Sequence, residues 1–374
     1  MSSSKVLHLV LKGDGLTEVV AEDINIGLLE SGADVTMVYL RDKEGILQKT
    51  VANHTVSLGL RSRFKLLFDW FAFRRLSALL IQDKFDVVIS HRYKPCLLAM
   101  KLARKFPEIE FINVVHGTGH YDKASRKRAI LRLTQEKFRF VCVSNAVAEF
   151  MRNRCGLATT LSPVEVISNG IDIEGLDAQQ LSREEARKAL GLDASSVWIG
   201  FVGRLIRIKG VSELVEGFAQ VARDYPFARL AILGKGALGE ELQRLIDSHQ
   251  LQERVLLLGH VPMARRYFKA FDGFILPSYR EGMSISLLEA MATGLPLLVS
   301  DIPMNTSLVN EGAVVFSPGD SFAISEALAS FLDRESSQRQ ADGYSNRLLA
   351  EKNYSIHLFR QNYAALVRRL VNSG

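Results

Sequence analysis

What this 374-residue chain lacks narrows its possibilities. It has three cysteines, Cys96, Cys142 and Cys155, and no Cys-x-x-Cys pair. That excludes a disulfide framework and a thiolate zinc site, fits a reducing compartment, and leaves buried apolar thiols as the expectation. No uninterrupted apolar run reaches the roughly 18 residues that a membrane span requires. Residues 1–11 lack the charged segment, long apolar core and cleavage site of a secretory signal and run directly into a strand pattern, so a cytoplasmic protein is expected. Internal repeats are absent, and so is any Asp-x-Asp pair.

What is present describes an ordinary globular protein, with 47% hydrophobic and 24% charged residues. The length exceeds that over which one core usually grows, so two domains are expected. A net charge of +6 and a pI near 9.1 call for an acidic partner: a nucleotide, an anionic membrane surface or nucleic acid. The distribution of charge argues against nucleic acid. Residues 61–81 carry Arg61, Arg63, Lys65, Arg74 and Arg75 against the single acid Asp69, interleaved with Phe64, Phe68, Trp70, Phe71 and Phe73. Such a helix can lie peripherally on an anionic inner membrane, or be a core helix with a solvated basic face. A second cluster, Lys123, Arg126, Lys127, Arg128 and Arg132, could bind an anionic acceptor or be a solvated loop and helix.

Short apolar runs alternate with helical periodicity. Strands are expected at 5–11, 35–39, 85–90, 111–115, 141–144 and 164–167, with helices at 19–31, 97–104 and 145–154. The rhythm restarts with strands at 197–202, 229–233, 255–258 and 273–276 and helices at 212–223, 238–250 and 264–270. Strand, helix and strand in succession imply α/β architecture with parallel sheets, here two doubly wound halves. Asn169 to Asp172 supplies a turn, and Ser182 with Glu185 forms a capping box that opens the next helix. Domains are therefore expected at 1–170 and 171–353, with 354–374 an amphipathic helix that crosses back to the first.

The segment from Glu281 to Glu289 carries the strongest chemical signal. Two carboxylates bracket a turn that opens into a helix, roughly 80° apart by the 3.6-residue period. Backbone N–H groups from Met283 to Ser286, with Gly282 and Ser284, would face an anion at the helix start. A carboxylate, an anion site and a second carboxylate can hold a hydroxyl-rich group, a phosphate and another hydroxyl-rich group, the order found in a nucleotide sugar. After the strand 197–202 comes a basic loop in which Arg204 and Lys209 can converge on one diphosphate, with Gly203 and Gly210 allowing close backbone approach. Gly234-x-Gly236-x-x-Gly239 resembles a dinucleotide fingerprint, but the next strand ends in Gly259 and His260 rather than an acidic ribose ligand. It is better taken as another glycine loop approaching the same ligand.

Together these motifs resemble the GT-B glycosyltransferases of the large retaining family 4. They comprise Gly203-Arg204 through Lys209-Gly210, Gly234-x-Gly236, the Glu281/Glu289 pair, His116-Gly117, 168–172 and Gly15-x-x-Glu18, and they span nearly the whole chain. The family's Gly-Gly-x-Glu loop reads Gly15-Leu16-Thr17-Glu18 here, and 300–307 lacks the acidic residue usual near its end. The resemblance implies two Rossmann-like domains facing a central cleft, the first binding acceptor and the second a nucleotide-sugar donor, with a UDP-sugar the expected co-substrate. It implies Arg204 and Lys209 at the diphosphate, Glu289 at the ribose, Glu281 at the transferred sugar and His116 beside that sugar. Gly15, Glu18, Gly203, Gly234, Gly236, His260, Gly282, Met283, Ser284 and Ser286 complete the implied donor site. No metal is expected to be required, because protein cations would replace it at the leaving diphosphate.

The resemblance further implies retaining transfer to a glycan or lipid-linked acceptor, as in bacterial lipopolysaccharide core or other envelope polysaccharide synthesis. An alternative is a nucleotide-sugar 2-epimerase, an isomerase needing no acceptor; the basic loop and the glutamate pair disfavour it. A chain that only binds nucleotide or lipid is the other alternative, and it would leave Glu281→Ala without a phenotype.

Overall fold

The computed structural model describes residues 3–11, 15–41, 50–60 and 65–373. Gly13, Asp14, Arg61, Arg63 and Phe64, and the side chains of Lys65 and Phe68, lie outside that description. The chain divides into two compact units, one comprising Met1–Gly170 with Ile356–Gly374, the other Ile171–Ser355.

Among the described residues the first unit holds seven parallel strands: β1 (Lys5–Val10), β2 (Asp34–Tyr39), β3 (His54–Ser57), β4 (Val87–His91), β5 (Glu110–Val115), β6 (Phe138–Cys142) and β7 (Val164–Val166). Their order is β3-β2-β1-β4-β5-β6-β7. Every residue of β4 and β5 is buried, which explains why these strands read as apolar runs rather than as alternation. All three cysteines are free and buried. The second unit repeats the plan with β8 (Val197–Val202), β9 (Ala228–Leu233), β10 (Val255–Gly259), β11 (Gly273–Leu276), β12 (Leu297–Ser300) and β13 (Val314–Phe316), ordered β10-β9-β8-β11-β12-β13. In both sheets the order reverses beside the first strand, between β1 and β4 and between β8 and β11. In open α/β sheets ligands bind at such a switch point, beside the loops that leave the carboxyl ends of the two strands.

Several elements depart from the sequence expectations. β3, β12 and β13 carry only three or four residues each, too few to establish a period. The helix expected at 145–154 begins as α over Asn145–Glu149 and widens into a π turn over Phe150–Arg154, where Cys155 N–H reaches Phe150 O. Ala264–Ala270 winds as a 3₁₀ helix, squeezed between Met263 at φ 52° and the start of β11. The capping box forms, Ser182 Oγ accepting from Glu185 N–H at 3.3 Å while Glu185 Oε2 accepts from Ser182 N–H at 3.0 Å.

The terminal helix Ile356–Ser373 packs within the first unit against the helix Leu16–Glu30. It buries Phe359, Tyr363, Leu366, Val367 and Leu370, each worth roughly 1.5–3 kcal/mol of transfer free energy. A Cβ on Gly27 would lie 2.6 Å from Arg360 Cβ, so the two helices meet backbone to backbone there. Arg360 pairs with Asp23 at 2.9 Å and Arg369 with Glu165 at 2.5 Å.

Candidate functional site

At the switch point of the second unit, the loop leaving β8 and the loop leaving β11 are bound to each other. Gly210 takes φ 66°, and a Cβ there would lie 2.1 Å from Pro277 O, so only glycine lets the first loop close onto the second. Tyr279 N–H donates to Ile208 O at 2.9 Å and completes the join. Lys209 is thereby delivered to Glu281, with Nζ 2.5 Å from Oε1. Both side chains are largely shielded, at 14% and 10% exposure, so their attraction is less screened by water than that of a surface ion pair.

A hydrogen-bonded chain supports this pair from beneath. Ser278 Oγ donates to Glu281 Oε1 at 2.6 Å. Ser278 O accepts from Ser300 Oγ at 2.6 Å, and Ser300 Oγ accepts from Asn305 Nδ2 at 3.0 Å. Ser278, Ser300 and Asn305 are all fully buried. Sequence reasoning missed these three: Ser278 and Ser300 had only the signal of interrupting apolar runs at the ends of two neighbouring strands, and Asn305, in the helix Pro303–Thr306, had none.

The helix that follows, Ile285–Thr293, is N-capped by Ser284, whose Oγ accepts from Leu287 N–H at 3.4 Å and lies 3.1 Å from Ser286 Oγ. Two expectations need correcting. Glu281 precedes the first helical residue, so the helical period does not relate it to Glu289, which lies in the helix's second turn. The expected donor stretch from Met283 to Ser286 also begins before the helix: Met283 and the cap Ser284 are buried ahead of its first turn. Glu289 is only partly exposed, and burial raises its carboxyl to about 7 against the opposing pull of Arg265. Gly282 lies in the loop between Glu281 and the cap.

The other expected donor residues are distributed unevenly. Arg204 is exposed and makes no ion pair with a described residue. Gly234 and Gly236 meet neighbouring backbone: a Cβ on Gly234 would lie 1.8 Å from Gly203 O, and one on Gly236 2.0 Å from Leu205 O, whereas one on Gly203 would lie 2.9 Å from the Phe201 ring. The smallness of Gly234 and Gly236 lets their loop pack directly onto the backbone of the basic loop. His260 is exposed and follows β10, which β9 separates from β8.

In the first unit, Gly15 at φ 79° precedes the helix Leu16–Glu30, and Glu18 Oε1 accepts from Tyr39 Oη at 3.2 Å. Burial and the neighbouring Glu18 and Glu22 carboxylates push the Tyr39 phenol well up. His116 follows β5, partly exposed, its Nε2 2.7 Å from Nδ1 of His91 at the end of β4. His91 Nε2 lies 2.5 Å from His8 Nε2 on β1. His8 and His91 were also missed; their signal was a histidine set inside or at the end of an apolar strand.

Residues 17–174 match the profile described as Glycosyltransferase Family 4, and residues 182–348 match that described as Glycosyl transferases group 1. The chain belongs to this family of GT-B glycosyltransferases. Its relatives include the UDP-Gal:alpha-D-GlcNAc-diphosphoundecaprenol alpha-1,3-galactosyltransferase of Escherichia coli, 30% identical over 258 residues that make up 65% of this chain and 65% of the relative. Lipopolysaccharide core biosynthesis mannosyltransferase LpsB of Rhizobium meliloti is 29% identical over 219 residues, 56% of this chain and 62% of the relative. The chain thus spans just under two thirds of the length of these curated relatives. The crystal structure of Anabaena Alr3699/HepE in complex with UDP-glucose superposes with a TM-score of 0.81 at 18% identity, covering 98% of this chain and 99% of that one, a likeness of fold.

No helix among the described residues is long and apolar enough to cross a membrane. The described residues also contain no group of three or more His, Cys, Asp or Glu side chains arranged to hold a metal ion.

Proposed function

We propose that this protein transfers a sugar, with retention of anomeric configuration, from a UDP-sugar to a glycan or lipid-linked acceptor in cell-envelope polysaccharide synthesis. The observation that carries the proposal is the Lys209–Glu281 pair at the β8/β11 switch point. In such a transfer the C1–O bond to the diphosphate breaks, its electron pair leaves with the diphosphate, and the acceptor oxygen bonds C1 on the same face as its hydroxyl proton passes to the departing diphosphate oxygen. Lys209, with Arg204 on the same loop, would meet the charge that builds on the leaving diphosphate. Glu281 would accept hydrogen bonds from the sugar and Glu289 from the ribose. Interactions that strengthen as charge develops lower the barrier rather than only tightening the ground state.

The names of relatives support the donor and acceptor classes. The Escherichia coli relative is named for UDP-Gal and a diphosphoundecaprenol-linked acceptor, Alr3699/HepE was solved with UDP-glucose, and the Rhizobium relative is assigned to lipopolysaccharide core synthesis. The second unit would hold the donor, and the first, which carries His116, the acceptor. Protein-supplied cations at the diphosphate make a metal-independent reaction part of the proposal.

The experiment is a screen of UDP-, GDP- and ADP-sugars by thermal stabilisation and donor turnover. A UDP-sugar at a hundred times its Kd should stabilise the fold by about 2.7 kcal/mol. Greater stabilisation by a GDP-sugar would overturn the choice of base, and a free epimer in place of a transferred sugar would overturn transfer itself. Anomeric configuration of the product by NMR tests retention.

Contact with the membrane surface on the cytoplasmic side completes the proposal. On the helix Lys65–Asp83, Trp70 and Phe71 are 53% and 43% exposed, and Arg74 stacks over the Trp70 ring at 5.5 Å. Arg75 instead donates to Leu58 O, and in the second basic cluster Arg126 and Lys127 lie over Tyr93 and Phe150. Exposed aromatics beside a cation that forms no ion pair with a described residue suit the headgroup region of an anionic bilayer. Trp70→Ser with Arg74→Glu should abolish sedimentation with phosphatidylglycerol vesicles while leaving donor affinity intact; undiminished sedimentation would count against docking.

A further inference from the structure

Three histidines stand in file across adjacent strands of the first unit, and only the last is among the expected site residues. His8 on β1, His91 at the end of β4 and His116 just beyond β5 stack with ring centroids 4.7 and 5.0 Å apart and interplanar angles of 22° and 23°. Their nitrogens also form a linear series. Asn25 Oδ1 lies 2.6 Å from His8 Nδ1, His8 Nε2 2.5 Å from His91 Nε2, and His91 Nδ1 2.7 Å from His116 Nε2. Asn25, His8 and His91 are almost completely buried, so water offers them no alternative partner.

The direction of this series follows from its inner end. Asn25 Nδ2 points at Met37 Sδ, 3.8 Å away, and a thioether sulfur can accept a hydrogen bond but has none to donate. The amide nitrogen therefore belongs on the sulfur side, and Asn25 presents its carbonyl to His8. A carbonyl needs a donor, so His8 carries its proton on Nδ1 and leaves Nε2 as an acceptor. His91 must then donate from Nε2 and accept at Nδ1, and His116 must donate from Nε2. Each neutral imidazole has one donor and one acceptor, so a choice made at Asn25 propagates through two rings to the third.

We propose that Asn25, His8 and His91 are positioning residues that hold His116 as its Nε2–H tautomer and direct its Nδ1 lone pair to accept a hydrogen bond from a substrate hydroxyl. The identity of that hydroxyl as one on a sugar rests on the function proposed above; the tautomer does not. The series works only while its rings are neutral, and the surroundings keep them so. Burial lowers His8 to about 4, drives His91 well below the usual histidine value and lowers His116 to about 3. Arg92, next to His91 in the chain and held at φ 64° with its Nε donating to Thr17 Oγ1 at 2.6 Å, adds positive charge against protonation of His91 and His116. His120 adds to the same effect on His116.

The direct test is long-range ¹H–¹⁵N correlation on the intact protein labelled with ¹⁵N-histidine at pH 7, with signals assigned by single substitutions. Protonation at Nδ1 of His8 and at Nε2 of His91 and His116 is expected; a proton on His116 Nδ1 would overturn the proposal. The kinetic test compares His91→Leu, which removes the acceptor facing His116, with His91→Asn, whose Oδ1 can stand in for the lost Nδ1. The leucine variant should lose about 10²-fold in kcat, the scale of a misplaced catalytic group, at little change in donor KM. The asparagine variant should recover most of that loss. Equal rates for the two would overturn a positioning role. The spectrum of the unmodified protein decides the tautomer even if His91→Leu fails to fold. Should no sugar transfer be found, an intact tautomer series would show that the proposed reaction had failed and the positioning had not.

Discussion

Lys209→Ala is expected to lower kcat by about 10²- to 10³-fold, the range found when one preorganised stabiliser of developing charge is removed. The same change leaves Glu281, at 10% exposure, with Ser278 Oγ as its remaining close partner, so some stability is lost as well. The two effects are separable. In Lys209→Met/Glu281→Gln both charges disappear together, so stability should recover while the rate stays low. Steady-state rates with a UDP-sugar, read beside thermal melts of both variants, make the comparison. A folded Lys209→Ala protein with an undiminished kcat would remove Lys209 from the leaving diphosphate.

Glu289→Gln should move stability and donor binding in opposite directions. Burial raises this carboxyl to about 7, so the folded protein binds a proton that the unfolded chain releases at lower pH. For a raised carboxyl the folded state loses stability as pH climbs from the ordinary carboxylate range through about 7, and the full penalty stands above that. With 1.36 kcal/mol for each pKa unit, the penalty at pH 8 is at most about 3 kcal/mol. Glutamine removes it, so Glu289→Gln should melt higher than the parent protein at pH 8 and near it at pH 4. Donor affinity should show the reverse. An ionised carboxylate is the stronger acceptor for the ribose hydroxyls, so binding of a UDP-sugar should strengthen as pH rises through about 7 in the parent and stay flat in the variant. A pH-independent affinity in the parent would take Glu289 away from the ribose. A destabilising group kept where a ligand can use it is what a binding site, as distinct from a core, would retain.

Much of the α/β rhythm was legible because buried strands read as unbroken apolar runs. The run 197–202 matches β8 at both ends, and 273–276 matches β11. β3, β12 and β13, of three or four residues, escaped notice. Lys209 and Glu281 were legible as charged residues in loops after strands, but not as partners. They are 72 positions apart, and what joins them is the contact of Gly210 with Pro277.

The sequence by itself determined the layered α/β class, the glycine-bounded basic loop and the carboxylates that bracket a helix start, because each depends on neighbours within a few residues. Tertiary structure alone decided that Ser278, Ser300 and Asn305 brace Glu281, that Glu289 is buried enough to shift its carboxyl, and that three histidines from β1, β4 and the end of β5 form one polar series. The physical reason is common to all three. Burial and hydrogen-bond direction are set by what lies beside a residue in space, and a parallel sheet makes neighbours of strands that the chain keeps far apart.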